Sequence, residues 1–330
     1  MALVTYGDIS PAVAASSSVE MLKRGQPNLI LQQFAQAMVL DKNDTDTKKA
    51  RRYERLAAAT TPLTEGVTPA GSTPTITDYT ATLVQYGDYL PLTDKIADTH
   101  TDPVLMQYSG MIGEQAALTK EMITYGVIKA GTNVLYANGS ARTNVNTALT
   151  LNIQRKATRA LKRQLGMPLT KKLSSSVNYA TVNVKPAFIG LIHTDMESTI
   201  RGLAGYKAVE DYATMETFEG ELGAVEDVRY VVSTVFEPFA NGGGAKGTMI
   251  STGGTSADVY PVIYLAQDAF ASVVLKGNNA IQPMVLNPGK ISDSDKLGQR
   301  GHVGWKSYFA DVILNQAWLV RAECAVVELT

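Results

Sequence analysis

The chain has 330 residues, with 30 basic and 31 acidic side chains, 45% hydrophobic and 18% charged residues, and one Cys. So even a balance lacks the basic field with which a dedicated nucleic-acid binder neutralises phosphates, and the apolar fraction excludes wholesale disorder. Cys324 alone makes neither an internal disulfide nor a thiolate metal cluster, as expected of a chain made in a reducing cytoplasm.

At about 100–200 residues per domain, two domains or one large one are expected. No window reaches the ~18 uninterrupted apolar residues of a spanning helix, and 1–8 lacks a basic region before an apolar core, so neither a membrane segment nor a secretory leader is expected. Residues 1–60 read as a tethered arm. Within it Ile30, Phe34 and Met38 recur at helical spacing. Lys48, Lys49, Arg51, Arg52 and Arg55 then crowd together, either as the solvated face of a helix or as a basic arm that touches neighbouring subunits or a polyanion.

Thr, Pro and Gly crowd 61–74, after which Tyr79, Ala81 and Leu83 alternate with Thr80 and Thr82 at the period of a strand. The stretch 61–92 reads as a long two-stranded loop, with a disordered surface loop as the other reading. Its few large apolar side chains build no core, so another subunit is its expected support. The clearest helix follows over 103–130: Thr101 or Asp102 caps it, Pro103 suits its first turn and Gly131 stops it. Val104, Tyr108, Met111, Leu118, Met122 and Ile123 make its apolar stripe, with Glu114, Lys120 and Glu121 off it. At 1.5 Å per residue it is a rigid spine of ~40 Å.

The rest alternates in an α+β manner. A basic helix is expected over 151–165 and a strand over 187–192 that runs into a helix capped by Thr194. Buried strands over 225–235 and 259–265 are separated by the turn at Gly242, Gly243 and Gly244, read as flexible, and two strands within 303–327 meet near Asn315.

Chemistry-bearing constellations are scarce. His100, His193 and His302 are scattered, and His193-Thr194-Asp195-Met196-Glu197 is explained by a helix start as well as by acid–base work. Gly242 to Thr248 lacks P-loop spacing, and no nucleophile elbow is present. Cys324 reads as a small buried hydrophobe. No catalytic, cofactor-binding or metal-ligating residue is assigned, and assembly is favoured over catalysis.

Four strings then bear on family: Tyr86-Gly87-Asp88-Tyr89-Leu90-Pro91-Leu92-Thr93-Asp94, Phe188-Ile189-Gly190-Leu191-Ile192-His193-Thr194-Asp195, Leu297 to Lys306, and Ala317-Trp318-Leu319-Val320-Arg321. With the order of parts, they make the chain similar to the major capsid proteins of tailed bacteriophages with the Hong Kong 97-type fold, which encapsulin shells share. The resemblance implies an N-terminal arm over 1–60, an extended loop over 61–92, a peripheral domain from 93–150 and 283–330 around the spine helix, and an axial domain over 151–282. Gly242, Gly243 and Gly244 would be a tip turn of that axial domain, and Lys48, Lys49, Arg51, Arg52 and Arg55 would be assembly or lumen-facing residues.

Hexamers and pentamers forming an icosahedral or prolate virion shell around double-stranded DNA are implied, assembled in the host bacterial cytoplasm. The implied partners are a portal, a separate scaffolding protein, a decoration protein and weakly held DNA, with no cofactor and no membrane. Some relatives weld subunits by a Lys–Asn isopeptide bond, but 61–92 contains no Lys and Lys95 sits only at its base. The alternatives are an encapsulin-like compartment and a carboxylate-dependent soluble enzyme.

Overall fold

The computed structural model describes residues 29–43, 45–99, 104–173, 181–212, 216–276, 281–286, 288–289 and 295–329. In chain order come strands β1 (Gln36–Leu40), β2 (Thr47–Tyr53), β3 (Ile76–Thr82) and β4 (Val84–Thr93), then helices α1 (Asp94–Thr99) and α2 (Val104–Lys129). Next are β5 (Val134–Tyr136), α3 (Leu151–Arg163), β6 (Leu169–Leu173), β7 (Thr181–Ile192) and α4 (Glu197–Arg201). They are followed by β8 (Tyr206–Ala208), β9 (Glu221–Val225), β10 (Val228–Val232) and β11 (Tyr260–Leu265). The chain closes with β12 (Phe270–Leu275), β13 (Gln282–Leu286), β14 (Arg300–Ile313) and β15 (Leu319–Cys324).

An eight-stranded mixed sheet has the order β5-β15-β11-β7-β10-β9-β8, with β6 on β7. Its central strand β11 is buried at every residue, so Tyr260-Pro261-Val262-Ile263-Tyr264-Leu265 reads as a continuous apolar run instead of an alternating one. One face packs on α3, where Ile153, Ala157 and Leu161 meet Phe188, Tyr230 and Ala322. The other face carries Ile189, Leu191, Val231 and Ile263 against Ile30, Leu31 and Phe34 and against Tyr125 and Ile128 of α2. Each fully buried aliphatic side chain there stabilises the fold by about 1.5–3 kcal/mol.

The second sheet has the order β1-β12-β14-β13, and β4 lies along β14 from Val84 opposite Phe309 to Thr93 opposite Arg300. Ile112 and Ala116 of α2 pack on Val303 and Trp305 of this sheet. Thus α2 bridges the two sheets, its first half on one and its last turns on the other.

The helix over 104–129 agrees with the expected 103–130, while its expected caps at 101–103 lie outside the described residues. Its buried face differs from the expected stripe. Ser109, Gly110, Gly113, Ala116 and Ala117 are buried with Lys120 and Glu121, whereas Met111, Leu118 and Met122 are exposed. Small side chains let the sheet approach the helix closely, and hydrogen bonds satisfy one oxygen each of the Glu121 and Asp311 carboxyl groups that this approach covers, leaving Glu121 Oε2 and Asp311 Oδ1 buried without a partner among the described residues. Thr124 Oγ1 donates to Asp311 Oδ2 at 2.7 Å, and the Leu31 N–H donates to Glu121 Oε1 at 2.9 Å.

Four further expectations are corrected. Residues 29–40, the described part of the stretch with helical spacing, are not an α-helix: Leu31–Gln33 is one 3-10 turn and Gln36–Leu40 is a strand parallel to β12. The basic stretch is β2, antiparallel to β3, not a helical face. The stretch 225–235 is broken at Glu226, whose φ of 54° makes the turn between β9 and β10. His193, not Thr194, caps the turn that follows β7: its Nδ1 accepts from the Asp195 N–H at 3.2 Å. Two strands also sit across the expected domain division: β15 belongs to the eight-stranded sheet and β12 to the sheet of β14.

Candidate assembly surfaces

The hairpin β2–β3 forms a sheet of its own, joined by a loop in which residues 55–75 are exposed throughout. Alternation along β2 divides the basic cluster between two faces. Arg51 points outward, its Nε 2.8 Å and its Nη2 3.1 Å from the two oxygens of Asp78, and this guanidinium holds the Asp78 carboxyl below its ordinary range. Arg52 points toward the body, lies 5.5 Å from the Tyr79 ring centre and donates from Nη1 to Leu314 O at 3.4 Å. Its Nε donates to Glu54 Oε1 at 3.0 Å, which lowers the Glu54 pKa. Lys48 and Lys49 share the strand, and Arg55 lies beyond it in the exposed loop. The five basic residues therefore make no single basic face.

The hairpin is rooted by a small apolar cluster, in which Ala81 packs with Leu40 and Val273. Past this root its tip carries Leu56, Leu63 and Val67, the second of them 77% exposed. Three apolar side chains on a ribbon without a core are an unfilled contact surface.

Gly242, Gly243 and Gly244 form a turn, but a pinned one, which corrects the flexible turn expected from composition. The Gly243 N–H donates to Ala257 O and the Gly244 N–H to Val145 O, both at 2.9 Å, and buried Asp258 accepts from the Asn241 N–H at 2.7 Å. A Cβ at Gly243 would overlap Val145 O and stand 2.8 Å from Ala257 O, so the backbones meet only because the residue is Gly. Beside this turn Arg142, 3.4 Å from the Phe239 ring centre, pairs with the buried Glu323. Nothing in the spacing of Arg142 and Glu323 marks that pair in the sequence.

The acid–base candidates are placed as structure. Asp195 accepts from Tyr260 Oη at 2.7 Å, and Glu197 pairs with Arg201 at 3.7 Å along α4. His302 lies on β14, edge-on to Tyr89, away from His193, and His100 falls outside the described residues. Cys324 is fully buried, its thiol pKa raised by burial. Among the described residues no group of three His, Cys, Asp or Glu is placed to hold a metal ion, and no helix is long and apolar enough to cross a membrane.

Comparison with known proteins agrees with this geometry. The fold is similar to the capsid of Ralstonia phage GP4, with a TM-score of 0.67 at 10% identity over 90% of this chain and 88% of that one. It is similar to the head protein of Helicobacter pylori bacteriophage KHP40, with a TM-score of 0.58 at 10% identity over 88% and 87% of the two chains. The SrpI encapsulin of Synechococcus elongatus PCC 7942 gives a TM-score of 0.52 at 9% identity over 92% and 90%. No curated protein matches by sequence. At these identities the likeness is one of fold, the α+β Hong Kong 97-type capsid fold. Residues 76–321, from β3 to β15, match the family described as "Phage capsid protein", and the chain belongs to that family.

Proposed function

We propose that this capsid shell protein is the repeating subunit of a tailed-phage head, joining as hexamers and pentamers into a closed icosahedral or prolate shell around double-stranded DNA. The observation that carries the reading is the hairpin β2–β3, whose tip displays Leu56, Leu63 and Val67 with no core beneath it. An isolated two-stranded ribbon is marginal in water, and a neighbouring subunit supplies the missing surface. In this reading α2 with the sheet of β14 is the peripheral domain and the eight-stranded sheet is the axial domain. The near-neutral charge allows DNA to be enclosed without being gripped at each contact. Assembly takes place in the host cytoplasm with a portal and a separately encoded scaffolding protein.

Negative-stain microscopy of the protein, expressed with and without its neighbouring virion genes, tests the reading. Closed shells that need a second gene product and hold DNA support it; a monomer under every condition overturns it. A second reading, an encapsulin-like compartment, is favoured by the likeness to the SrpI fold. Shells that form from the pure chain and hold a protein cargo would establish it instead. Because the loop tip over 54–75 contains no Lys, denaturing gels of the shells should show free subunits and no covalent ladders.

A further inference from the structure

Strands β10, β9 and β8 end the eight-stranded sheet, and their pairing sets Lys207 opposite Ala224 and Ala224 opposite Arg229, so the three side chains stand in a row on one face. One methyl group between two long cations leaves a hollow there. It is a cavity of about 290 Å³, lined by Ala224 with Lys185, Pro186, Ala187 and Tyr212. Arg229 is only 4% exposed and is held in place: Nε and Nη2 each donate to Glu221 at 2.6 Å, and Nη2 also donates to Glu216 O at 2.7 Å. Its guanidinium lies 4.5 Å from the Phe218 ring centre. Nη1 is left buried without a partner among the described residues, and Arg229 is itself part of the cavity wall. An unmet buried donor costs roughly 1–3 kcal/mol, more on a charged group, and an acceptor brought into the cavity recovers that cost. Of the carboxylates nearby, Glu221 is spent on Arg229, Tyr212 Oη and the Phe218 N–H, and Glu226 is held by Arg155 of α3. Asp211 lines the cavity as an exposed acid, and against it stand Lys185 and Lys207, both exposed.

We propose that this cavity is a binding site for a small organic oxyanion, a phosphate monoester being the closest match. The charged end meets Arg229, Lys207 and Lys185, which come from β10, β8 and β7 and together suit a group with three acceptor oxygens. The body lies against Pro186, Ala187 and the Tyr212 ring, in a volume at the small end of those that hold small molecules.

Equilibrium dialysis of the dilute full-length chain against phenyl phosphate, with phenol as the uncharged counterpart, tests the site. Phenyl phosphate should bind saturably and be displaced by inorganic phosphate, and phenol should not bind. Lys207→Gln, at an exposed position, should weaken binding about tenfold, as the loss of one hydrogen bond between charged groups does. Ala224→Leu should abolish binding by filling the cavity. Arg229 is left unchanged because it also holds Glu221. No saturable uptake would overturn the proposal and leave Nη1 to water. Equal uptake of phenol would overturn it by making the cavity an apolar one, and phenyl phosphate binding that survives both substitutions would do so by placing the ligand elsewhere.

Discussion

Arg142 holds the carboxylate of Glu323 with two parallel hydrogen bonds of 2.8 Å, Nε to Oε2 and Nη2 to Oε1, and Glu323 is fully buried while Arg142 is not. Arg321 adds a third charge contact at 3.0 Å. Because one partner has no access to water, the pair is a strong constraint when intact and costly when broken. Arg142→Ala should lower stability by about 1–3 kcal/mol, less than the cost of stranding a buried charge outright because Arg321 still faces Glu323, and Glu323→Gln added to it should recover part of the loss. Urea unfolding measures both, and a loss under about 1 kcal/mol for the single variant would contradict the account.

Two glycines should respond in opposite directions. Gly243→Ala forces a methyl group against two backbone oxygens and should cost about 1–3 kcal/mol. Gly126 sits in the interior of α2 with nothing near the position of a Cβ, so Gly126→Ala should stabilise by about 0.5–1 kcal/mol. Thermal unfolding separates the two; a destabilising Gly126→Ala would mean that this side of α2 is covered.

Glu121 gives stability a pH dependence. Burial pushes its pKa from the ordinary 4.5 up to about 8, opposed by the backbone N–H groups of Leu31 and Ile30 and by Lys120, with Asp311 reinforcing the rise. Between those two values the folded state keeps a proton that the unfolded state has lost, so this group's contribution to stability falls as pH rises from about 5 to about 8. Lys120, whose ammonium is held below its ordinary value by burial, has the opposite sign on the alkaline side. Glu121→Gln should flatten the slope of urea midpoints between pH 5 and pH 8 and raise the midpoint at the upper end. An unchanged slope would place the dependence elsewhere.

Charge reversal on the hairpin should act on assembly and leave the subunit's fold intact. Arg51→Glu sets two carboxylates against each other with Asp78, and Arg52→Glu removes the contacts to Tyr79 and Leu314 O. Since the lost contacts lie on an exposed ribbon, the double variant should lose no more than about 1 kcal/mol as a free subunit, while the yield of closed particles drops about tenfold. Normal particles would leave these arginines no role beyond a solvated surface.

How much of this was legible depends on how local each signal is. The spine helix is plain, since its 26 residues contain no Pro and run on past every turn signal, but periodicity points to the large apolar side chains as its buried face, and those are the exposed ones. What buries the other face is close approach over Gly110, Gly113, Ala116 and Ala117, a property of the partner sheet that helical periodicity does not report. The stretch Thr47-Lys48-Lys49-Ala50-Arg51-Arg52-Tyr53 carries no apolar alternation and becomes a strand only through β3, so its charges suggest a helical face or a basic arm and not a strand. Ile30, Phe34 and Met38 have helical spacing yet serve a turn on α2 and a strand on β12, where tertiary contacts override the local pattern. The hairpin was foreseen as a two-stranded loop, but its first strand was placed too late in the chain. Gly242, Gly243 and Gly244 were rightly a turn; their pinning depends on Val145 and Ala257, distant partners that composition cannot reveal.

The long pairing of β4 with β14 has a mechanical consequence. β3 runs into β4 through one intervening residue, and β4 holds β14 through ten consecutive pairs from Val84–Phe309 to Thr93–Arg300. Tension applied to the hairpin along its own direction is therefore taken in shear, with every rung of the ladder loaded together instead of one after another. A pull across the strands would unzip them singly at far lower force. The hairpin is therefore tied to the body through a strand laid in the geometry that best resists a pull along its own direction.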